Sequence, residues 1–148
     1  MKLAIRTAVA VTAFALLAPC LPMHAQDASK AADSLQSLQG TWEGVERGRE
    51  AEGKYTVTII GQASQFQGPI KEESYLCTFE LPVGTTPAQW NNTIADCPAK
   101  EYVGKVSLGI YKLENGTLTL ITHRPGDPQG PKGFEDDGVS RTFILKKR

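Results

Sequence analysis

The stretch GIYKLENGTLTLITHRPGDP, residues 109–128, decides the fold class of this chain. Two segments that alternate apolar and polar residues flank an Asn-Gly pair at positions 115–116. Asn-Gly is typical of a two-residue hairpin loop, because both residues of that turn need positive φ. This loop fixes the pairing of the two strands, and four side chains then share one apolar face: Tyr111, Leu113, Leu118 and Leu120. The stretch therefore predicts an antiparallel hairpin that is buried on one side only.

The same alternation recurs outside this hairpin. The segments KYTVTII (54–60) and SYLCTFEL (74–81) alternate with period two, and VSRTFILKKR (139–148) predicts a last strand with a basic end. Apolar residues at helical spacing precede them in residues 27–40, where Gly40 is suited to end a helix. We predict an all-β fold, a single antiparallel β-barrel of about eight strands with a short N-terminal helix.

The start of the chain has the features of a secretory signal. A basic beginning precedes an uncharged apolar stretch that ends near small residues, which is typical of export signals. We expect cleavage after Ala25, which divides the chain into a signal peptide (1–25) and one barrel domain (26–148). A lipid anchor at Cys20 is the alternative. The predicted location is periplasmic or secreted, in a bacterium, with no stable membrane insertion after cleavage.

The composition bears on the class of partner. The chain has 148 residues, enough for one domain with a real core. Its 16 basic and 16 acidic residues give a formal net charge of zero. A balanced charge does not favour nucleic acid or an anionic membrane surface, and we expect neither as a partner.

Two cysteines remain in the predicted mature chain, Cys77 and Cys97. An even number of cysteines in an exported protein indicates a disulfide, so we predict a Cys77–Cys97 bridge and no metal site. Between residues 82 and 102 the alternation disappears, and prolines predict an irregular excursion that the bridge fastens to the sheet. Trp90 lies near its middle, where it either covers one end of the core or stands exposed as a binding anchor.

The segment LQGTW, residues 38–42, resembles the Gly-x-Trp opening of lipocalins, with Gly40 and Trp42 at the two defining positions. In that superfamily the tryptophan plugs one end of the barrel, and a basic residue of the last strand lies over its ring. The resemblance implies such a cation here, supplied by one of three residues: Arg148, Lys146 or Lys147.

More closely, the chain resembles a small lipocalin-like family known mainly as uncharacterised secreted proteins of planctomycetes and related bacteria. The similar segments occur in the same order: LQGTW, GIYKLENGTLTL, PKGF and FILKKR. The Asn-Gly turn and the excursion at residues 82–102 depart from the family pattern. This resemblance implies a fold and brings no established activity.

One cluster, His123 with Arg124 and Asp127, suggests acid–base chemistry. Ser107 is the nearest hydroxyl that could act as a nucleophile, but it lies in no nucleophile-elbow motif. We interpret His123 as an exposed residue at a strand end, and the acidic run at residues 135–137 as a solvated turn rather than a calcium site. Phosphate-loop and dinucleotide motifs are absent, so we expect no cofactor and no enzyme activity.

These observations favour a noncatalytic extracytoplasmic module that binds a small apolar or amphipathic molecule. Barrels of about eight strands can hold one small ligand. The candidate ligand contacts are four aromatic residues: Tyr75, Phe79, Trp90 and Tyr111. The alternative is an envelope protein-interaction module, of the inhibitor or immunity type, that uses the disulfide-tethered loop around Trp90.

Overall fold

The computed structural model describes residues 23–148, with side chains from residue 29 onward. One helix, α1 (Met23–Leu38), precedes eight strands. The strands are β1 (Gly40–Glu46), β2 (Tyr55–Ile60), β3 (Ala63–Gln67), β4 (Ser74–Glu80), β5 (Gln89–Asp96), β6 (Val106–Glu114), β7 (Thr117–Thr122) and β8 (Arg141–Lys147). Two single 3-10 turns, at Glu50–Glu52 and Lys100–Tyr102, lie in the connections.

The strands form one closed sheet. Each strand pairs antiparallel with the next along the chain, and β8 pairs with β1 to complete the barrel. Closure leaves no strand edge open for pairing with another chain. The predicted all-β class, an antiparallel barrel preceded by a short helix, is confirmed.

The hairpin of β6 and β7 has the predicted turn and register. Asn115 and Gly116 form the loop, with φ of 51° and 73°. Leu113 lies opposite Leu118, and Tyr111 lies opposite Leu120. These side chains belong to the main core, so the alternation of apolar residues assigned the inward face correctly.

The two ends of the barrel differ. The connections at residues 61–62, 81–88 and 115–116 and helix α1 lie at one end, which we call the closed end. The other connections, at residues 47–54, 68–73, 97–105 and 123–140, lie at the opposite end, which we call the open end. The two longest connections, 97–105 and 123–140, have room to shape a site at the open end, while the closed end is filled by side chains.

Trp42 fills the closed end. Its side chain is only 1% exposed and packs with Leu38, the last residue of α1. The indole Nε1 donates a hydrogen bond to the Leu38 carbonyl at 2.8 Å. That carbonyl has no partner within the helix, because the last carbonyls of a helix have no following turn. The bond therefore joins α1 to the barrel and satisfies both polar groups.

The cation over the Trp42 ring is Lys147, whose Nζ lies 5.5 Å from the ring centroid. Lys147 is the register partner of Trp42 on β8, so the two side chains extend on the same face. The neighbouring Arg148, predicted for this role, lies one residue beyond and approaches Glu43 instead, at 3.9 Å.

The N-terminal predictions lie largely outside the described residues. Residues 1–22, which carry Cys20 and most of the predicted signal peptide, are not among them. The predicted boundary after Ala25 falls inside α1, which begins at Met23. In the part of the chain that the structure describes, no helix is both long and apolar enough to cross a membrane.

The predicted irregular excursion between residues 82 and 102 is wrong, because it contains β5. The segment QWNNTIAD alternates, with Trp90, Asn92 and Ile94 on one face. Flanking prolines and the adjacent asparagines hid this period, since those residues are depleted in strands. Trp90 is 1% exposed, so it is part of the core and cannot serve as an exposed anchor.

The predicted Cys77–Cys97 disulfide is also wrong, because both cysteines are free, buried thiols. Cys77 lies opposite Ile94 on β5, and the register shifts just before it. Cys97 lies beyond the end of β5, and its thiol donates to the Ala99 carbonyl at 3.0 Å. The two residues pack with Ile94 in a small apolar cluster that closes this side of the barrel without a covalent bond.

Candidate functional site

A cavity of about 410 Å³ opens at the open end of the barrel. Small-molecule sites in proteins have volumes of roughly 300–1,000 Å³. Its walls are mainly aromatic and aliphatic, including Phe66, Tyr75, Trp90, Ile94, Leu120 and Phe143. These residues point inward because alternate residues of every barrel strand face the interior. The interior is therefore packed at the closed end and hollow near the open end.

The floor of the cavity is a stack of aromatic rings. Trp90 lies on Phe79 with ring centroids 4.3 Å apart, and Tyr111 meets the indole edge-on at 5.8 Å. Of the four predicted ligand contacts, Tyr75 and Trp90 line the cavity. Phe79 and Tyr111 lie behind Trp90 and hold its ring in place, so they support the cavity without lining it.

Asn92 places a polar group of known orientation on the cavity wall. Its Oδ1 accepts a hydrogen bond from the Trp90 indole at 2.7 Å, with the Ser64 hydroxyl at 3.4 Å. An indole N–H can only donate, so the amide oxygen must face it. The Asn92 Nδ2 group then remains a donor, and among the described residues it donates to none. A ligand acceptor in the cavity could use it.

A bidentate ion pair closes another part of the wall. Arg141 on β8 donates from Nε and Nη2 to the two carboxylate oxygens of Glu46 on β1, at 2.9 and 2.6 Å. Its Nη2 also lies 3.1 Å from the Tyr55 hydroxyl and 3.4 Å from Glu73. The Glu46 side chain is 5% exposed and that of Arg141 is 34% exposed. The positive charge of the guanidinium is thus already paired with a carboxylate of the protein.

This arrangement shifts the pKa of the Glu46 carboxylate and that of the Tyr55 hydroxyl. Burial opposes ionisation of Glu46, but the hydrogen bonds and charge of Arg141 and the Tyr55 hydroxyl bring its pKa below the usual value. Burial, together with the hydrogen bond to Glu46, raises the pKa of Tyr55 to about 12. At neutral pH the site therefore contains an ionised carboxylate and a neutral phenol.

Arg124 stands at the rim in a different environment. Its Nε donates to the Tyr102 hydroxyl at 2.8 Å, and its guanidinium carbon lies 5.5 Å from that ring's centroid. Both residues line the cavity. Within the described part of the chain, Arg124 has no carboxylate within 4 Å.

His123 fastens the β7–β8 loop rather than facing a substrate. Its Nδ1 lies 2.6 Å from the Gln129 carbonyl and its Nε2 lies 3.4 Å from the Asp137 carboxylate. The imidazole is only 14% exposed, so the prediction of an exposed strand-end residue is wrong. Through it, the loop lies against the outer face of the barrel, where Ile110 and Ile121 are buried.

The predicted acid–base cluster is not assembled. Among the described residues, Asp127 makes no side-chain hydrogen bond or ion pair with His123. Ser107 donates to the carbonyl of His123, at 2.6 Å, and not to its ring. In the acidic run, the hydroxyl and backbone N–H of Ser140 lower the pKa of Asp137, which caps the loop. Over residues 29–148, no group of three or more histidine, cysteine or acidic residues is placed to hold a metal.

Cys77 contributes a thiol to the cavity wall. Burial, with a further contribution from Cys97, raises the pKa of this thiol to about 11. A thiol with that pKa is protonated at neutral pH, and the protonated form is neither a good nucleophile nor a metal ligand. Cys77 therefore acts as a small apolar surface.

Three residues of the site, Glu46, Asn92 and Arg141, were not predicted from the sequence. Each lies on the inward face of a strand, two residues from a buried aromatic or small residue of the same face. Charged residues are almost never buried unless paired. Glu46 and Arg141 are charged residues at positions where the alternation of the strand expects an inward-facing side chain. That signal could have predicted the ion pair.

Comparison with known proteins gives no further identification. No protein-family model, curated protein or solved structure matches this chain. Function is therefore inferred from the cavity and its polar groups.

Proposed function

We propose that this protein is a noncatalytic, lipocalin-like binding protein that holds a small, largely apolar molecule inside its barrel. The observation that carries the proposal is the open cavity of about 410 Å³, with aromatic walls and one oriented amide donor at Asn92. From its leader-like residues 1–25 we further propose that it works outside the cytoplasm, in the periplasm or secreted.

The walls supply affinity for apolar groups. Removing apolar surface from water contributes roughly 25 cal/mol per Å², and the cavity offers rings and branched aliphatic side chains to contact. Phe79 and Tyr111 fix the Trp90 ring from behind. A site that is already formed loses little conformational entropy when a ligand binds.

The polar group supplies selectivity. A ligand with a carbonyl, hydroxyl or ether oxygen can accept from Asn92 Nδ2. A ligand of the same shape without an acceptor would leave this donor without water or partner, at a cost of about 1–3 kcal/mol. We therefore expect the bound molecule to carry an acceptor among its apolar groups.

The alternative of an interaction module is not favoured. It depended on a disulfide-tethered loop that exposes Trp90, whereas Cys77 and Cys97 are free thiols and Trp90 is buried. The remaining candidates for chemistry have structural partners. His123 holds a loop and Ser107 donates to a backbone carbonyl.

Binding of 1-N-phenylnaphthylamine, a neutral apolar dye that fluoresces in apolar surroundings, tests this proposal. Ser64 lines the cavity, and its neighbour Gln65 is exposed on the outer face of the same strand. We expect Ser64→Phe to fill the cavity and weaken dye binding at least about tenfold, and Gln65→Phe to leave it unchanged.

Circular dichroism and thermal melting of both variants serve as the folding control. The proposal fails if the folded wild-type protein binds neither the dye nor any member of a panel of small apolar ketones and alcohols. It also fails if folded Ser64→Phe binds the dye as the wild type does.

A further inference from the structure

Two arginines line the cavity, and they differ in what their guanidinium groups contact. Arg141 is used by the fold, because its Nε and Nη2 donate to the Glu46 carboxylate and its Nη2 also contacts Tyr55 and Glu73. Arg124 makes a single side-chain hydrogen bond, to the neutral Tyr102 hydroxyl. Of the two positive charges at the cavity, only that of Arg124 lacks a carboxylate within 4 Å in the described residues.

The contact with Tyr102 orients Arg124 for a second partner. Nε is occupied at 2.8 Å, and the ring lies beneath the guanidinium, with 5.5 Å between its carbon and the ring centroid. The two Nη groups remain, and together they form an edge of parallel donors. That edge matches the two oxygens of a carboxylate, which arginine binds in a bidentate manner.

The charges around this edge are mixed, and none of the acids is paired with Arg124. The Lys105 ammonium lies 5.7 Å from the centroid of the same Tyr102 ring. The nearest acids, Asp127 and Glu101, act on Arg124 only at longer range, as charges without a hydrogen bond. An unpaired guanidinium at the rim of an apolar cavity suits a molecule with one anionic end and an apolar body.

We infer that the ligand is an amphipathic carboxylate, whose apolar chain occupies the cavity and whose carboxylate is bound by Arg124 at the rim. This inference rests on the proposed ligand-binding function and specifies the chemical class of the ligand. It assigns no anion to Arg141, because a carboxylate there would have to displace the buried Glu46. Arg124 is thus the residue that distinguishes an acid from a neutral molecule of the same length.

The test compares decanoate with decan-1-ol, which have the same chain length and differ in charge. Each compound displaces 1-N-phenylnaphthylamine from the wild-type protein, from Arg124→Gln and from Lys71→Gln. Lys71 is an exposed lysine in an open-end loop and does not line the cavity, so it is the matched control for loss of one positive charge.

We expect the wild type and Lys71→Gln to bind decanoate at least about tenfold more tightly than decan-1-ol. In Arg124→Gln this preference should disappear, because decanoate loses its bidentate partner and decan-1-ol has none to lose. High salt should reduce the preference in the wild type, because the rim is exposed to solvent.

The outcomes separate the two proposals. If decan-1-ol binds but decanoate has no advantage, or if the advantage survives in Arg124→Gln, the carboxylate inference is overturned and the binding function stands. If neither compound nor the dye binds the folded wild type, the binding function fails and the inference fails with it.

Discussion

Glu46 is a buried carboxylate on the inward face of β1, in an interior that is otherwise mostly apolar. Taking a carboxylate and a guanidinium out of water costs several kcal/mol per ion, and only a well-formed pair with further hydrogen bonds compensates. Both Glu46 oxygens are bonded to Arg141, and one also meets the Tyr55 hydroxyl. Over residues 29–148, no buried side-chain polar atom lacks a partner. The buried ion pair is therefore tolerated because both oxygens of the Glu46 carboxylate are hydrogen-bonded.

Glu46→Gln tests this account. The amide keeps the shape but removes the charge, and Arg141 then has no full counter-ion. We expect a loss of about 2–3 kcal/mol in the free energy of unfolding at pH 7, below the 3–5 kcal/mol of a fully buried pair because Arg141 is partly exposed and keeps Glu73 nearby. Glu43→Gln, on the outer face of the same strand, should cost less than about 1 kcal/mol.

The contribution of Glu46 to stability should depend on pH. Because the pKa of Glu46 is lowered by folding, its contribution is complete above the unfolded pKa of about 4.5 and is lost as the pH falls through the folded pKa. The difference in stability between wild type and Glu46→Gln, measured by urea unfolding at several pH values, should shrink below pH ~4.5. A difference that persists unchanged in acid would contradict the role of the charge.

At the level of single residues, the sequence predicted which side chains face inward better than it predicted which groups they contact. The alternation placed the β6–β7 leucines inward, since it depends only on neighbours in one strand, and the resemblance to the lipocalin opening placed Trp42 at one end of the barrel. The cation over Trp42 could not be chosen among three basic residues without the β1–β8 register, which pairs Trp42 with Lys147. The orientation of Asn92 likewise depends on the indole beside it.

β1 approaches β8 most closely at Gly44. A Cβ added there would overlap the Ile144 carbonyl and lie 2.8 Å from the Leu145 Cα, both of them backbone atoms that a rotamer change cannot move. The strand alternates Trp42, Gly44 and Glu46 on one face, so the glycine lies between the plug at the closed end and the ion pair near the open end. Its missing side chain lets the first and last strands close the barrel.

Gly44→Ala should therefore destabilise the protein by about 3 kcal/mol, the upper part of the range for overpacking, because the atoms that the new Cβ meets belong to the backbone. Gly133→Ala is the matched control, because a Cβ there meets nothing within 4 Å and the backbone φ lies outside the left-handed region. That substitution should change stability by less than about 1 kcal/mol. Denaturant unfolding measures both, and a Gly44→Ala variant as stable as Gly133→Ala would show that the closure at β1–β8 can widen.

The prediction of strands succeeded where the local residue preferences agreed and failed where residues that disfavour a strand interrupted the pattern. The Asn-Gly turn fixed the register in which β6 and β7 pair, because both turn positions demand positive φ. β5 was missed because Asn91 and Asn92 disfavour a strand and prolines lie on either side. Its neighbours β4 and β6 supply the ladder that holds it, and such pairing is a tertiary effect that overrides propensity.

Across the whole barrel, the two tryptophans differ in whether they line the cavity. Trp42 seals the closed end beneath α1 and does not line it, whereas Trp90, near the closed-end start of β5, lines the cavity floor. The closed barrel could be predicted from the period of its strands. The cavity could not be predicted, because it depends on how interior side chains pack in three dimensions. Small residues such as Ser64 and Ser107 face inward at positions where larger ones would fill it.

This difference makes tryptophan fluorescence a report on where a ligand lies. Bromine quenches indole emission only near contact, so 10-bromodecan-1-ol bound in the cavity should quench Trp90 more strongly than Trp42. We expect strong saturable quenching in Trp42→Phe, whose remaining indole is Trp90, and clearly weaker quenching in Trp90→Phe. Decan-1-ol without bromine controls for changes in conformation, and melting curves show whether each variant is folded.

Binding in the cavity should also stabilise the folded state, by about 2.7 kcal/mol at a free ligand concentration one hundred times the dissociation constant. The melting temperature of the wild type should then rise with either alcohol, and that of Ser64→Phe should not, because its cavity is filled. Quenching as strong in Trp90→Phe as in Trp42→Phe would place the ligand next to Trp42, which does not line the cavity, and would contradict binding in the cavity.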